Sequence, residues 1–455
     1  MKFFTGSLKI TPEFPVLQCG FAAKDKKSEG VHDDTFASIV ILQKNETVVI
    51  ITLDVVYGDK SFAYGIKTAI KEKFSIPSQN IIISYTHTHS SVAVTGEDIT
   101  KRNRRPYSIG ADKFFFYGEW KDIDDSKDIQ YYRFIKEKIM NLMEQGMSNL
   151  IDGNISVNKS RSQFGISRRL PVNGKIEFRP YDNDEKMDAD LFLLKLTDSE
   201  GIVKGILYNY ACHPTSVGID NYLISADFPG EVRSQLKNIY PDSEVVFLQG
   251  CGADIKPRFG VVDGYFKSAD FTRLKDGCKN FTQEISNIIN SGNWREIQIN
   301  IRTAEKEFLL YTTEKDKSFF EAIYNNPDEA DYRRESALAS MESLDSNNTS
   351  ANLPFYINAI YLDNKTCLLA LENEIVSDIG KLIKTFSNDD LIVLGYSNSV
   401  CCYIPTEDII KNGGYEGENY MIARLAGPFV PEIESIIVGE SLKLLKNTKI
   451  SIEKN

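Results

Sequence analysis

Only four histidines occur in 455 residues, and three of them stand in two short segments. The first segment is Thr86-His87-Thr88-His89-Ser90-Ser91, directly after the apolar run Asn80-Ile81-Ile82-Ile83-Ser84-Tyr85. On extended backbone, residues two apart face the same side, so His87 and His89 project together. Two imidazoles on one side suit a metal ion, or one ligand beside an acid/base partner; they equally suit two hydrogen-bonded residues at a strand edge. The second segment, Asn209-Tyr210-Ala211-Cys212-His213-Pro214-Thr215-Ser216, also ends an apolar run. Pro214 breaks ladder pairing and sets His213 at a turn, as a ligand or as a hydrogen-bonded core histidine. The third segment, Gln249-Gly250-Cys251-Gly252-Ala253-Asp254-Ile255-Lys256-Pro257, runs a strand into a glycine-rich turn. There backbone N–H groups can approach a ligand or an oxyanion, and Asp254 could hold a metal-bound histidine or a substrate hydroxyl. The plain alternative is an ordinary glycine turn. Asp54 interrupts the apolar run Ile51-Thr52-Leu53-Asp54-Val55-Val56, and His32 precedes a strand. A charge in such a run is costly unless paired. Support of a ligand and a buried structural hydrogen bond are the two readings for each.

These residues need elements to hold them. Apolar runs rich in Val and Ile predict strands at 37–42, 47–56 and 80–85, with a helix at 60–74 that ends before Pro77. Strand, helix, strand in that order predicts a crossover unit in a mixed, largely parallel sheet flanked by helices. The same grammar recurs with strands at 191–196, 202–210 and 244–248 and a helix at 229–239. Further on come a hairpin at 355–361 and 366–371 around Asp363-Asn364, a helix at 374–386, a strand at 391–395 and a closing helix at 431–445. An acidic stretch at about 315–346 predicts a helical insertion. Each histidine segment thus lies at a strand end, where active-site residues of open α/β sheets collect.

Apolar residues make up 42% and charged residues 26%, an ordinary globular balance. The net charge of −11 argues against nucleic acid, because phosphate binding needs excess Lys and Arg. No apolar run reaches the roughly 18 residues of a membrane span. The first twenty residues do not read as a secretory signal, and the seven cysteines are scattered with no CxxC pair, so a cytoplasmic protein is expected. Cys401 and Cys402 are expected as buried thiols. Neither a repeat nor a linker is visible, and one domain over 1–455 is expected.

Read together, the segments resemble the neutral (non-lysosomal) ceramidase family, specifically its N-terminal catalytic domain and the shorter bacterial proteins related to it. A THTHSGP-like segment is THTHSSV at 86–92; an NxxxHPTS-like segment is NYACHPTS at 209–216. A SADxPG-like segment is Ser225-Ala226-Asp227-Phe228-Pro229-Gly230, and a GDxxP-like turn is Ala253-Asp254-Ile255-Lys256-Pro257. The elements Ile10-Thr11-Pro12, Gly30-Val31-His32-Asp33, Asn373-Glu374, Tyr403-Ile404-Pro405-Thr406 and Gly414-Tyr415-Glu416 extend the likeness towards both ends.

The resemblance implies zinc held by His87, His213, Glu374 and Tyr403, in a hydrolase that cleaves a C–N (amide) bond. Glu374 and Tyr403 follow from the resemblance alone. Zinc lowers the pKa of a bound water and polarises a carbonyl. The resemblance puts His89 beside that water as a proton shuttle or substrate contact, and Arg168 near the reaction centre to steady an oxyanion. The substrate class implied is a small-molecule or lipid-like amide. Departures from the family pattern matter. Lys256 stands where the ceramidases carry a Ser thought to take part in catalysis, and Ser91-Val92-Ala93 replaces a Gly-rich GPG. Lys256 is either a contact for a carboxylate or phosphate of a more polar substrate, or a solvated lysine. No C-terminal immunoglobulin-like domain is expected in the remaining residues. Two rival functions stay open: a metal-assisted hydrolase or lyase acting on a sugar or ester, and a metal-binding protein without catalysis.

Overall fold

The computed structural model describes residues 1–21, 24–102, 107–113 and 120–450. Its largest sheet has nine strands, eight of them in the order Glu244–Gln249, Val203–Tyr210, Asp190–Asp198, Ile151–Arg161, Lys2–Lys9, Phe36–Gln43, Thr47–Leu53, Ile81–Tyr85. A second sheet has four, in the order Arg302–Tyr311, Asn352–Tyr361, Thr366–Leu371, Asp390–Leu394. Strand side chains alternate in direction, and the two faces of each sheet are both apolar here. Val40, Leu42, Val48, Ile50 and Ile82 pack against Ile360, Leu368, Ala370, Ile392 and Leu394 of the second sheet. Their neighbours Ile39, Ile41, Val49, Ile51, Ile81 and Ile83 face the other way, onto helices Lys60–Phe74 and Ser126–Ser148. The outer face of the second sheet is covered by Ser377–Phe386, Asp331–Asp345 and Ile433–Ile450. The layers therefore run helix, sheet, sheet, helix. Truncating a residue between the sheets, such as Ile50, to Ala would cost about 2–5 kcal/mol.

A mixed sheet core flanked by helices is what the pattern predicts, but "largely parallel" needs correction. Only the pairs Thr47–Leu53 with Ile81–Tyr85 and Val203–Tyr210 with Glu244–Gln249 are parallel in the large sheet, and Thr366–Leu371 with Asp390–Leu394 in the small one. The other pairs on these sheet paths are antiparallel. The reason is connection length. Residues 44–46 join Phe36–Gln43 to Thr47–Leu53 as a hairpin, whereas a parallel pair needs a crossover of a dozen or more residues. Helices Lys60–Phe74, Asp227–Ile239 and Ser377–Phe386 supply the three crossovers. The first is capped by Asp59, whose carboxylate accepts from the Phe62 N–H at 2.9 Å, and it ends at Ser75 in the left-handed region.

The predicted helix at 374–386 begins at Ser377; Glu374–Ile375 instead pairs in parallel with Tyr403–Ile404. The acidic stretch folds as helices Lys317–Asn325 and Asp331–Asp345, placed between two strands of the second sheet. No helix among the described residues is long and apolar enough to cross a membrane.

Candidate metal centre

Each of the three crossover units delivers a polar residue just beyond the carboxyl end of its strands. His87 and His89 follow Ile81–Tyr85, His213 follows Val203–Tyr210, Glu374 follows Thr366–Leu371, and Tyr396 follows Asp390–Leu394. Three of these chain exits share one device. His87, Asn373 and Tyr396 adopt φ of 66°, 70° and 48°. The left-handed region costs a β-substituted residue about 1–2 kcal/mol, less for Asn. Fixed hydrogen bonds hold it: His87 N to Val55 O at 3.1 Å, Asn373 N to Ser399 O at 2.9 Å, and Tyr396 N to Asn373 O at 3.0 Å. Such turns aim side chains back across the strand ends.

The three histidines converge. The Nε2 atoms of His87, His89 and His213 form a triangle with sides of 3.1, 3.2 and 3.1 Å, fully inside the protein. Glu374 Oε2 lies 3.2 Å from His87 Nε2 and 3.9 Å from His213 Nε2. The partner of His87 sets its tautomer. His87 Nδ1 sits 2.7 Å from the Val56 carbonyl, which only accepts, so the neutral ring carries its proton on Nδ1 and presents a lone pair at Nε2. That lone pair faces a carboxylate oxygen with no hydrogen-bond partner among the described residues. A ring lone pair facing a carboxylate oxygen inside a protein is repulsive, and a cation between them would relieve it. A tetrahedral zinc with bonds of ~2.0 Å separates its donors by about 3.3 Å, close to the spacing found. Burial, reinforced by neighbouring charges, pushes His89 and His213 well below the ordinary histidine range. Both are therefore neutral, the form that binds metals.

The second ring nitrogens separate the three. His87 Nδ1 is bonded to Val56, and His213 Nδ1 lies 3.2 Å from the Tyr396 hydroxyl. Metal-ligating histidines nearly always have such a partner. His89 Nδ1 has none among the described residues. Its ring is held by packing instead. A Cβ on Gly20, which has φ of 99°, would fall 2.4 Å from His89 Cγ, and Phe21 meets the ring edge-on at 4.7 Å between centroids.

Tyr403 stands beside Glu374 in the short ladder, and its ring lies parallel to that of His213, 6.4 Å between centroids. Burial and the Glu374 charge keep its phenol protonated, well above the ordinary range. Arg168 is buried with its guanidinium carbon 5.6 Å from the centre of the Tyr403 ring. Its Nε donates to Glu416 at 2.8 Å, and Arg169 also pairs with Glu416. Arg168 Nη2 has no hydrogen-bond partner among the described residues. Lys256 Nζ donates to Thr215 Oγ1 at 2.7 Å, two residues beyond His213.

Asp254 is placed differently from the sequence expectation. Its carboxylate accepts from Ser377 N at 2.7 Å and Ser377 Oγ at 3.1 Å, at the start of helix Ser377–Phe386, and not from a histidine. Its carbonyl accepts from Arg168 N at 2.9 Å. A helix start offers unsatisfied N–H groups, which draw a nearby carboxylate. Asp54 is bonded to Phe36 N at 3.0 Å and ion-paired to Arg233 at 2.8 Å, the buried structural reading. His32 is exposed and stacked on Phe271, 3.5 Å between centroids, apart from the triangle. Cys402 is buried and Cys401 half-buried.

Sequence reasoning missed Tyr396, Gly20 and Glu416. Tyr396 carried a usable signal, a tyrosine directly after the run Leu391–Gly395 at a predicted strand end. Glu416 was visible as part of Gly414-Tyr415-Glu416, but nothing local tied it to Arg168, 248 residues away.

The four-layer α/β fold is shared with solved proteins. No protein-family model matches the sequence. A neutral ceramidase from Pseudomonas aeruginosa superposes with a TM-score of 0.73 at 15% identity, over 98% of this chain and 74% of that one. A ceramidase complexed with C2 gives 0.72 at 14% identity, over the same shares. The fold is neutral-ceramidase-like.

Proposed function

We infer that the chain is a zinc-dependent hydrolase of an amide C–N bond, built as one domain over 1–455. The observation that carries this is the meeting of three histidine Nε2 atoms and an unpartnered carboxylate oxygen at one buried point. On this reading His87, His213 and Glu374 hold the ion, with Tyr403 as fourth ligand. Zinc, when bound, supplies a Lewis acid and makes water acidic near neutral pH.

The chain's own groups do the rest. His89 touches the triangle through Nε2, but its second nitrogen has no hydrogen-bond partner among the described residues, which suits a proton carrier better than a ligand. It takes a proton from water and returns it to the departing nitrogen. Arg168 Nη2 is the donor for the developing oxyanion. Asp254 positions the Arg168 backbone. The acyl C–N bond breaks, a C–O bond forms to the water oxygen, and both water protons end on the amine. The fold's neighbours are ceramidases, which supports a small-molecule or lipid-like amide as the substrate class. Seven free cysteines support a cytoplasmic setting.

Elemental analysis of protein purified without chelator tests the reading. A single zinc per chain is expected, with amidase activity lost on chelation and restored by zinc. No zinc, before or after reconstitution, would remove the mechanism.

A further inference from the structure

We propose that Lys256 is a specificity-determining residue that receives a carboxylate carried by the substrate, so that the preferred substrates are N-acyl amino acids rather than neutral amides. This rests on the amidase reading of the site and names the class of amide it takes.

Two cationic side chains stand on one wall of the site, and they differ in one respect. Arg168 is ion-paired to Glu416 at 2.8 Å. Lys256 has no carboxylate within salt-bridge distance among the described residues; its ammonium donates to the hydroxyl and carbonyl of Thr215, at 2.7 and 3.4 Å. An ammonium that is half-buried without an anion is costly to maintain. Burial, then the charge of Arg168, lowers Lys256 to about 7. A cation held in that state gains from a bound anion.

The placement makes that anion part of a substrate. Thr215 belongs to the loop that carries His213, and the Pro214 carbonyl of the same loop accepts from His89 N at 3.2 Å. Lys256 and Arg168 also flank one aromatic ring, their charged ends 5.9 and 4.9 Å from the centre of Phe178. Phe178 is 53% exposed and packs on Phe266, so this wall reaches solvent beside an apolar surface. A ligand running from the triangle towards Phe178 therefore passes an apolar ring pair and one unpaired positive charge. A single uncompensated cation matches a monoanion, and a carboxylate on the amine side of the amide supplies it.

The wild-type holoenzyme is assayed on N-octanoylglycine and N-octanoylethanolamine, which differ mainly in the carboxylate. Wild type is expected to prefer the glycine conjugate, chiefly through KM. Lys256→Met should raise KM for that substrate about 10–100-fold, leave zinc content intact, and leave the ethanolamide within a few-fold of wild type. Lys256→Arg should restore most of the preference. An ethanolamide cleaved as well as the glycine conjugate by wild type, or a Met variant that weakens both substrates equally, overturns the assignment while leaving the amidase reading standing. A wild-type protein that holds zinc but cleaves neither amide overturns the amidase reading, and with it this one.

Discussion

The two sheets hold opposite sides of the site, and they hold them differently. The nine-stranded sheet presents His87 and His213, and each ring is fixed at its second nitrogen, by Val56 and by Tyr396. The four-stranded sheet presents Glu374, whose Oε2 is buried and partnerless among the described residues. One side is set before any ion arrives. The other offers an unpartnered oxygen that a cation would satisfy. If the site takes a metal, the nitrogens would lose little freedom on binding, while the carboxylate would gain most of what the ion offers.

The largest effect separates holding from reacting. His213→Ala removes a fixed nitrogen, so bound zinc and turnover should disappear together, read by elemental analysis and amide hydrolysis. His89→Asn should keep zinc near wild-type occupancy and lower kcat about 100- to 10,000-fold, the usual range for a lost proton carrier. Zinc lost from the His89 variant would make that residue a ligand and dissolve the distinction between the three rings. Tyr396→Phe is gentler. It keeps the ring beside His213 and deletes only the hydroxyl at Nδ1, so zinc affinity should fall about 10- to 100-fold by competition with a chelator. An unchanged affinity would mean the histidine side is fixed by packing alone.

The same contrast explains what could be read from the chain beforehand. The histidine side lies in compact motifs at the ends of Val- and Ile-rich runs, so residue type and strand-end position mark His87, His89 and His213 as candidates. The carboxylate side has no such local mark. Glu374 meets His87 only because two sheets stack, and a contact spanning 287 positions leaves no periodic trace. Resemblance to a family placed Glu374 and Tyr403; propensity could not. The strands were legible from composition, yet their direction was misjudged. Alternating strands and helices at 47–85 suggest a mixed, largely parallel sheet, while the hairpins on either side of those units make most pairs antiparallel. Asp254 was read as chemistry because it follows glycines, whereas the start of helix Ser377–Phe386 claims its carboxylate.

That assignment of Asp254 to the frame, not the chemistry, gives the smallest effect. Burial raises its carboxyl to about 6 from the ordinary 3.8. Between those two values the folded chain keeps a proton that the unfolded chain has released. The contribution to stability is thus full below pH 4, falls as pH rises, and is lost above pH 6. The loss is on the order of 2–3 kcal/mol. Asp254→Asn keeps an acceptor for Ser377 N and cannot ionise. It should match wild type near pH 4, exceed it in urea denaturation at pH 7 by that amount, and carry the same zinc. Equal pH slopes for the two proteins would show that Asp254 is ionised without penalty. A variant that loses zinc would move Asp254 from the frame of the carboxylate side into the support of the ligands themselves.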